Sequence, residues 1–166
     1  MITDSTLHSI AVLGGTGKEG KGLAYRWAKA GYIVIIGSRT SEKAENAAKD
    51  LNVMLGKELV VGLENTEAAK KADILVLTVP YSAHKPTIES VKDAAQGKIF
   101  VDVTVPLVPP KVTKVQMPKA GSAAQEAQEI LGENVSVVAA FQNISHKHLF
   151  DDDPIDCDVL VTGKSK

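Results

Sequence analysis

Gly15-Thr16-Gly17-Lys18-Glu19-Gly20 is a segment whose residue types and spacing could do chemistry. Three glycines at this spacing make a tight, side-chain-poor turn, and the amides at a following helix start can hold an anionic pyrophosphate. Gly15 permits the turn, and Gly17 lets main chain approach a phosphate. Gly20 falls on a helix face with Leu23 and Trp27, where a side chain would push helix from strand. A glycine turn alone is common; its setting makes this one specific. It follows the apolar run Ile10-Ala11-Val12-Leu13, opens an amphipathic stretch, and precedes the run Ile33-Val34-Ile35-Ile36 by about a dozen residues.

The end of that second run selects the dinucleotide. An NAD site places an Asp or Glu about 20 residues past the motif, to bind the ribose 2′-hydroxyl. Here the sequence reads Gly37-Ser38-Arg39-Thr40, with Lys43 one helical turn on. A carboxylate would repel a 2′-phosphate, whereas the Arg39 guanidinium pairs with it through a charge-assisted fork. Ser38 and Thr40 add hydroxyl donors. The reading is NADP over NAD.

Other reactive residue types carry less. His146, His148 and Asp151-Asp152-Asp153 are suitable metal-ligand types, but His-x-His in a loop lacks the i, i+4 helical geometry of common zinc motifs. They read as a solvated acidic loop, and no metal is expected. His84 follows a predicted strand ending near Pro80, where it either lines the cleft or sits on the surface at a helix start. Cys157 opens an apolar run and reads as a buried packing residue.

The elements that must position these groups alternate along the chain. Apolar runs recur at residues 10–13, 33–36, 59–61, 74–77, 99–101, 135–139 and 159–161. They are continuous rather than alternating, as in parallel strands covered on both faces. Between them, Gly20, Leu23, Ala24, Trp27 and Ala28 share one helical face, and Ala44, Ala47, Ala48 and Leu51 share another. A third helix is predicted from Ser122, whose spacing to Gln125 is that of a capping box, to a stop at Gly132. The pattern predicts an α/β fold of one domain over residues 1–166, a doubly wound, mostly parallel sheet of Rossmann type. The Pro-rich stretch 106–118 and the stretch 141–154 read as loops, the former over the carboxyl edge of the sheet. The run at 159–161 has no helix after it, so more chain or a partner is expected to cover it.

Bulk composition narrows the class. Of 166 residues 44% are hydrophobic and 23% charged, with a formal net charge of −1 and 4% aromatics. Nothing there favours nucleic acid. No run approaches the roughly 20 apolar residues that span a bilayer, and residues 1–9 lack a signal-peptide core. One cysteine fits a reducing cytoplasm.

Several segments together resemble the F420-dependent NADP reductases (NADPH:F420 oxidoreductases). They are Ala11-Val12-Leu13-Gly14-Gly15-Thr16-Gly17, Gly20-Lys21-Gly22-Leu23-Ala24, Ile36-Gly37-Ser38-Arg39, Leu77-Thr78-Val79-Pro80-Tyr81, Asp102-Val103-Thr104-Val105-Pro106-Leu107 and Asp156-Cys157-Asp158-Val159-Leu160-Val161. The resemblance runs along essentially the whole sequence. It implies a phosphate loop at Thr16, Gly17, Lys18 and Glu19, and a 2′-phosphate site at Ser38, Arg39 and Lys43. It puts Thr78, Val79 and Pro80, with Val103 or Val105, beside the nicotinamide. It puts the segment of Gln142 and Ile144 against the deazaflavin, with the main chain at His146 close to the cofactor. Where family members commonly carry a histidine, Gln142 keeps a donor and an acceptor but does not titrate. The family's chain usually continues into helices that complete the deazaflavin pocket and the dimer interface; these are expected to be absent here.

The function so implied is hydride transfer between NADP(H) and coenzyme F420 by a homodimer or higher homo-oligomer, with no catalytic side chain because the cofactors carry the chemistry. Two alternatives keep the NADP site: reduction of a flavin, quinone or ferric acceptor, and a non-catalytic NADP-sensing module.

Overall fold

Six of the apolar runs become parallel strands: β1 (Ser9–Leu13), β2 (Ile33–Ser38), β3 (Val60–Glu64), β4 (Ile74–Leu77), β5 (Ile99–Asp102) and β6 (Ser136–Ala139). The computed structural model describes residues 7–108, 110 and 114–163. A two-residue strand, β7 (Thr162–Gly163), adds antiparallel to β6, giving the order β3-β2-β1-β4-β5-β6-β7. Helices α1 (Lys18–Lys29), α2 (Ser41–Leu55), α3 (Asn65–Lys71), α4 (Tyr81–Val91), α5 (Ala123–Leu131) and α6 (His146–Leu149) alternate with the strands. The doubly wound, mostly parallel α/β sheet of the sequence reading is the observed fold.

Strand side chains alternate between the faces, and each face has its own core. Ile10, Val12, Val34, Ile36 and Val76 meet Leu23, Ala24 and Ala28 of α1 and Ala44, Ala47, Ala48 and Leu51 of α2. Ala11, Leu13, Ile35, Leu75 and Leu77 meet Ala68 and Ala69 of α3, Ile88 and Val91 of α4, and Ala127 and Leu131 of α5. Burial on both faces is why these runs are continuously apolar. Buried Asn52 joins α2 to β3: its amide donates to the Val60 carbonyl at 2.8 Å, and its Oδ1 accepts from Leu59 and Val60 main-chain N–H at 2.9 and 2.8 Å.

The helix predicted from Ser122 to Gly132 is α5, with the Ser122 hydroxyl accepting from the Gln125 main-chain N–H at 3.1 Å. Helix α3 was not marked by periodicity, since seven residues make under two full turns. Part of the 106–118 loop lies outside the described residues. Its described ends pair as an isolated antiparallel bridge, Leu107 with Val115.

The predicted strand at 159–161 is not one. β6 pairs through Val138 with Gly163 and Ala139 with Thr162, so the edge register takes up the residues after the apolar triplet. Val159, Leu160 and Val161 are exposed, and Cys157 is exposed rather than buried. Among the described residues no helix is long and apolar enough to cross a membrane.

Candidate functional site

The turn after β1 is shaped by main chain. Gly14 sits at φ +69, a left-handed conformation that costs other residues energy, and its N–H donates to Asn65 Oδ1 at 3.1 Å. The Gly15 N–H faces the carbonyls of Val12 and Gly37 at 3.1 and 3.0 Å, fastening the turn to β1 and β2 together. A Cβ on Gly20 would lie 2.5 Å from Thr78 Oγ1 and 2.7 Å from Gly15 Cα, so helix α1 meets the loop with no room for a side chain. A Cβ on Gly17 would meet nothing within 4 Å. Gly17 is the N-cap of α1 and no side chain caps the helix there, which leaves first-turn N–H groups for an anionic pyrophosphate.

At the end of β2, Ser38 is buried, while Arg39 and Lys43 are exposed around the start of α2. These two cations flank the N-terminal end of a helix, whose dipole also favours an anion.

A cavity of about 500 Å³ opens at the carboxyl ends of β1, β4 and β5, where the sheet order changes direction. It brings together Gly17, Lys18 and Glu19 with Thr78, Val79, Pro80, Val103 and Val105, all named from the sequence. Tyr81, Ser82, Thr104 and Leu107 complete the lining. Gly15 and Thr16, in the turn, and Gly20, in the first turn of α1, are not among its lining residues. Gln142 lines a second cavity, of about 260 Å³, that shares Thr104 and Val105 with the first. Ile144 does not join either cavity; it packs against the core beneath α1 and lines a groove with Ser145 and His148. His146 begins α6, and its main chain faces the Glu19 carboxyl. Burial pushes that carboxyl above its ordinary range, the His146 N–H pulls it partly back, and one Glu19 oxygen is buried without a partner.

The acidic loop is docked rather than simply solvated. Asp152 accepts from Tyr25 Oη at 3.2 Å and pairs with Lys29, while Arg26 donates to the carbonyls of His148, Leu149 and Asp153. Among the described residues no three His, Cys, Asp or Glu side chains gather as a metal site.

Sequence reasoning missed a polar cluster. His84 is wholly buried, with Nε2 2.7 Å from Asp102 Oδ2 and Nδ1 3.1 Å from Glu126 Oε1. It is neither a cleft-lining residue nor a surface one. The partners lie 18 and 42 residues away, beyond the reach of any local pattern.

The sheet order, the glycine turn and the cleft at the strand ends define a Rossmann-type dinucleotide-binding domain. Comparison with known proteins narrows this. The chain belongs to the coenzyme F420-dependent NADP oxidoreductase family, whose model matches residues 9–106. It is 47% identical over 165 residues to the F420-dependent NADP reductase of Methanocaldococcus jannaschii, covering 95% of this chain and 73% of that protein. It is 45% identical over 161 residues to the F420-dependent NADP reductase of Methanothermobacter marburgensis, covering 93% and 72%. A crystal structure from Arthrobacter sp. FB24, described as a candidate F420-dependent NADP reductase, superposes with a TM-score of 0.78 at 22% identity, covering 95% of this chain and 74% of that one. At that identity it speaks for the fold.

Proposed function

We propose that this protein is an oxidoreductase that passes hydride between NADP(H) and the deazaflavin coenzyme F420. The observation that carries the reading is a pair of adjoining cavities, one at the glycine turn and one at Gln142, that meet at Thr104 and Val105. Hydride transfer needs two rings face to face, and cavities that adjoin along Thr104 and Val105 set the two ligand sites side by side. Identity of 45–47% to reductases of that name, over nearly all of this chain and 72–73% of theirs, supports the choice of both ligands.

In this reading Gly15, Thr16, Gly17, Lys18, Glu19 and Gly20 form the pyrophosphate loop. Ser38, Arg39 and Lys43 take the 2′-phosphate, and Thr78, Val79, Pro80, Val103 and Val105 enclose the nicotinamide. Gln142 lies on the deazaflavin side, with its amide fixed by donating to the Asp102 carbonyl at 2.8 Å. Ile144 supports that side from below, and the His146 main chain closes the loop beside Glu19. The two bound rings supply the hydride chemistry; the chain's part is to orient them and exclude water. The apolar lining with hydroxyls of Thr78, Ser82 and Thr104 suits that task. Residues 1–166 act as one dinucleotide-binding unit in the cytoplasm, as a homo-oligomer to which the exposed Leu160 and Val161 beside β7 offer apolar surface.

The test is anaerobic mixing of protein, NADPH and F420 while following the visible deazaflavin band. Bleaching with saturation in both ligands is expected. A folded protein that binds NADPH and leaves the band intact rules the reading out, and turnover of a flavin instead would move the acceptor.

A further inference from the structure

Beneath the nicotinamide end of the cleft lies a buried chain of polar groups that the hydride chemistry itself does not call for. His84, on α4, is completely inaccessible to solvent. Its Nε2 is 2.7 Å from Asp102 Oδ2 at the end of β5, and its Nδ1 is 3.1 Å from Glu126 Oε1 on α5. Each carboxylate is held again on its far side. Asp102 Oδ1 accepts the Thr104 N–H at 2.9 Å, and Glu126 Oε2 accepts the Tyr81 hydroxyl at 3.2 Å. Thr104 Oγ1 in turn donates to the Val79 carbonyl at 3.3 Å.

This geometry suits the doubly protonated ring. A neutral imidazole has one N–H and one lone pair, so one ring nitrogen would set its lone pair against a carboxylate. An imidazolium donates from both nitrogens and so satisfies both carboxylates at once. Burial by itself lowers the His84 pKa, but the hydrogen bonds and charge of Asp102, and then of Glu126, outweigh it and raise the value above its ordinary 6.5. Tyr81, on the same helix and with its ring centroid 5.6 Å from the imidazole, is the other titratable group facing it. Burial and the Glu126 carboxylate push that phenol up, so it stays a neutral donor.

A buried ion pair is seldom retained for stability alone, since apolar residues of similar volume pack as well or better. What this cluster joins is informative. Tyr81, Thr104 and Val79 all line the cleft, from two different strand ends. We propose that His84, held as an imidazolium between Asp102 and Glu126, is a positioning residue that locks the first turn of α4 against the end of β5 and thereby fixes the pocket for the nicotinamide ring. The inference rests on the nicotinamide lying in that cleft. Because the charged form holds the lock, the lock is complete below about pH 6.5 and is lost as pH rises through the raised His84 value.

The first measurement is ¹⁵N NMR of the full chain without ligands, where His84 is expected to carry protons on both ring nitrogens at neutral pH. A single-proton tautomer there overturns the proposal. The second uses His84→Gln and Glu126→Gln, the latter at a partly exposed site that preserves side-chain shape. Expected are a kcat lower by about tenfold, an NADPH Kd within about twofold of the parent, and, in Glu126→Gln, an alkaline fall in kcat displaced to lower pH. The emission of bound NADPH, which reports the ring's surroundings with no acceptor present, is expected to change in both. If melting temperatures drop while kcat, pH profile and emission all match the parent, the cluster only holds the fold together and the positioning role is wrong. Should the parent fail to reduce F420, the acceptor reading fails, while the NMR and emission results still decide the role of His84.

Discussion

The two ends of the cleft are built from different parts of the polypeptide. At the end proposed for the phosphates the surface is main chain: the turn from Gly14 to Gly20, tied to two strands through the Gly15 N–H and left open at Gly17. At the end proposed for the nicotinamide it is side chains, spread over the ends of β4 and β5 and braced by His84, Asp102 and Glu126 from three elements. A main-chain site needs glycines at the right spacing, so seven consecutive positions define it. A side-chain site needs long-range partners, so its definition is scattered over the chain. The first kind tolerates little substitution within the loop; the second can be retuned from outside the cleft.

The largest expected effect breaks both ends at once. Gly20 is where they touch, since its missing Cβ would meet Gly15 Cα at 2.7 Å and Thr78 Oγ1 at 2.5 Å. Main chain cannot yield there, so Gly20→Val is expected to lose about 1–3 kcal/mol or more in denaturant unfolding, together with NADP binding. Gly17→Ala is the control, because a Cβ there meets nothing within 4 Å and the backbone φ of −75 suits any residue. It should unfold like the parent. Equal destabilisation by the two would mean that the loop is not packed as described.

Next in size is a change confined to the phosphate end. Arg39 is exposed at the end of β2, clear of the cleft lining. Arg39→Ala is expected to weaken NADP by about 1.5–3 kcal/mol, the worth of a charge-assisted contact, and to leave NAD nearly untouched. Titrating both dinucleotides by calorimetry measures the difference. Parallel losses would put the 2′-phosphate elsewhere and unsettle the division between the two ends.

That division also explains what could be read in advance. The sheet was legible because strands buried on both faces must be continuously apolar, as in Val34-Ile35-Ile36. The glycine turn was legible because its geometry excludes side chains at fixed spacing. Residues 159–161 misled by the same logic: they are apolar enough for a strand, yet the register with Val138 and Ala139 places the pairing at Thr162 and Gly163. Cys157 was misread with them. His84 was visible as a residue but not as a cluster, because a histidine four positions past Pro80 says nothing of Asp102 on another strand or Glu126 on another helix. The eight cleft residues named in advance follow the ends of β1, β4 and β5 within a few positions, where sequence order and spatial order still agree.

The smallest expected effect tests whether the glycine turn itself depends on a side-chain charge. Glu19 is the acidic group of the turn, with one oxygen buried and unpartnered. Burial raises its carboxyl above the ordinary 4.5, and the His146 N–H offsets only part of that. A folded carboxyl that holds its proton more tightly than the unfolded chain does stabilises the fold most below about pH 4.5 and loses that contribution as pH rises through the folded value. At neutral pH the parent therefore carries an ionised group in a place that disfavours it, and Glu19→Gln removes the penalty. The variant should melt on the order of 1–2 °C above the parent at neutral pH, a gap that closes as the pH falls toward the ordinary carboxylate range. Scanning calorimetry across that range reads it. A parent that is instead the more stable at neutral pH would show that the ionised carboxylate has a partner in the loop, and the glycine turn would then rest on a side chain as well as on main chain.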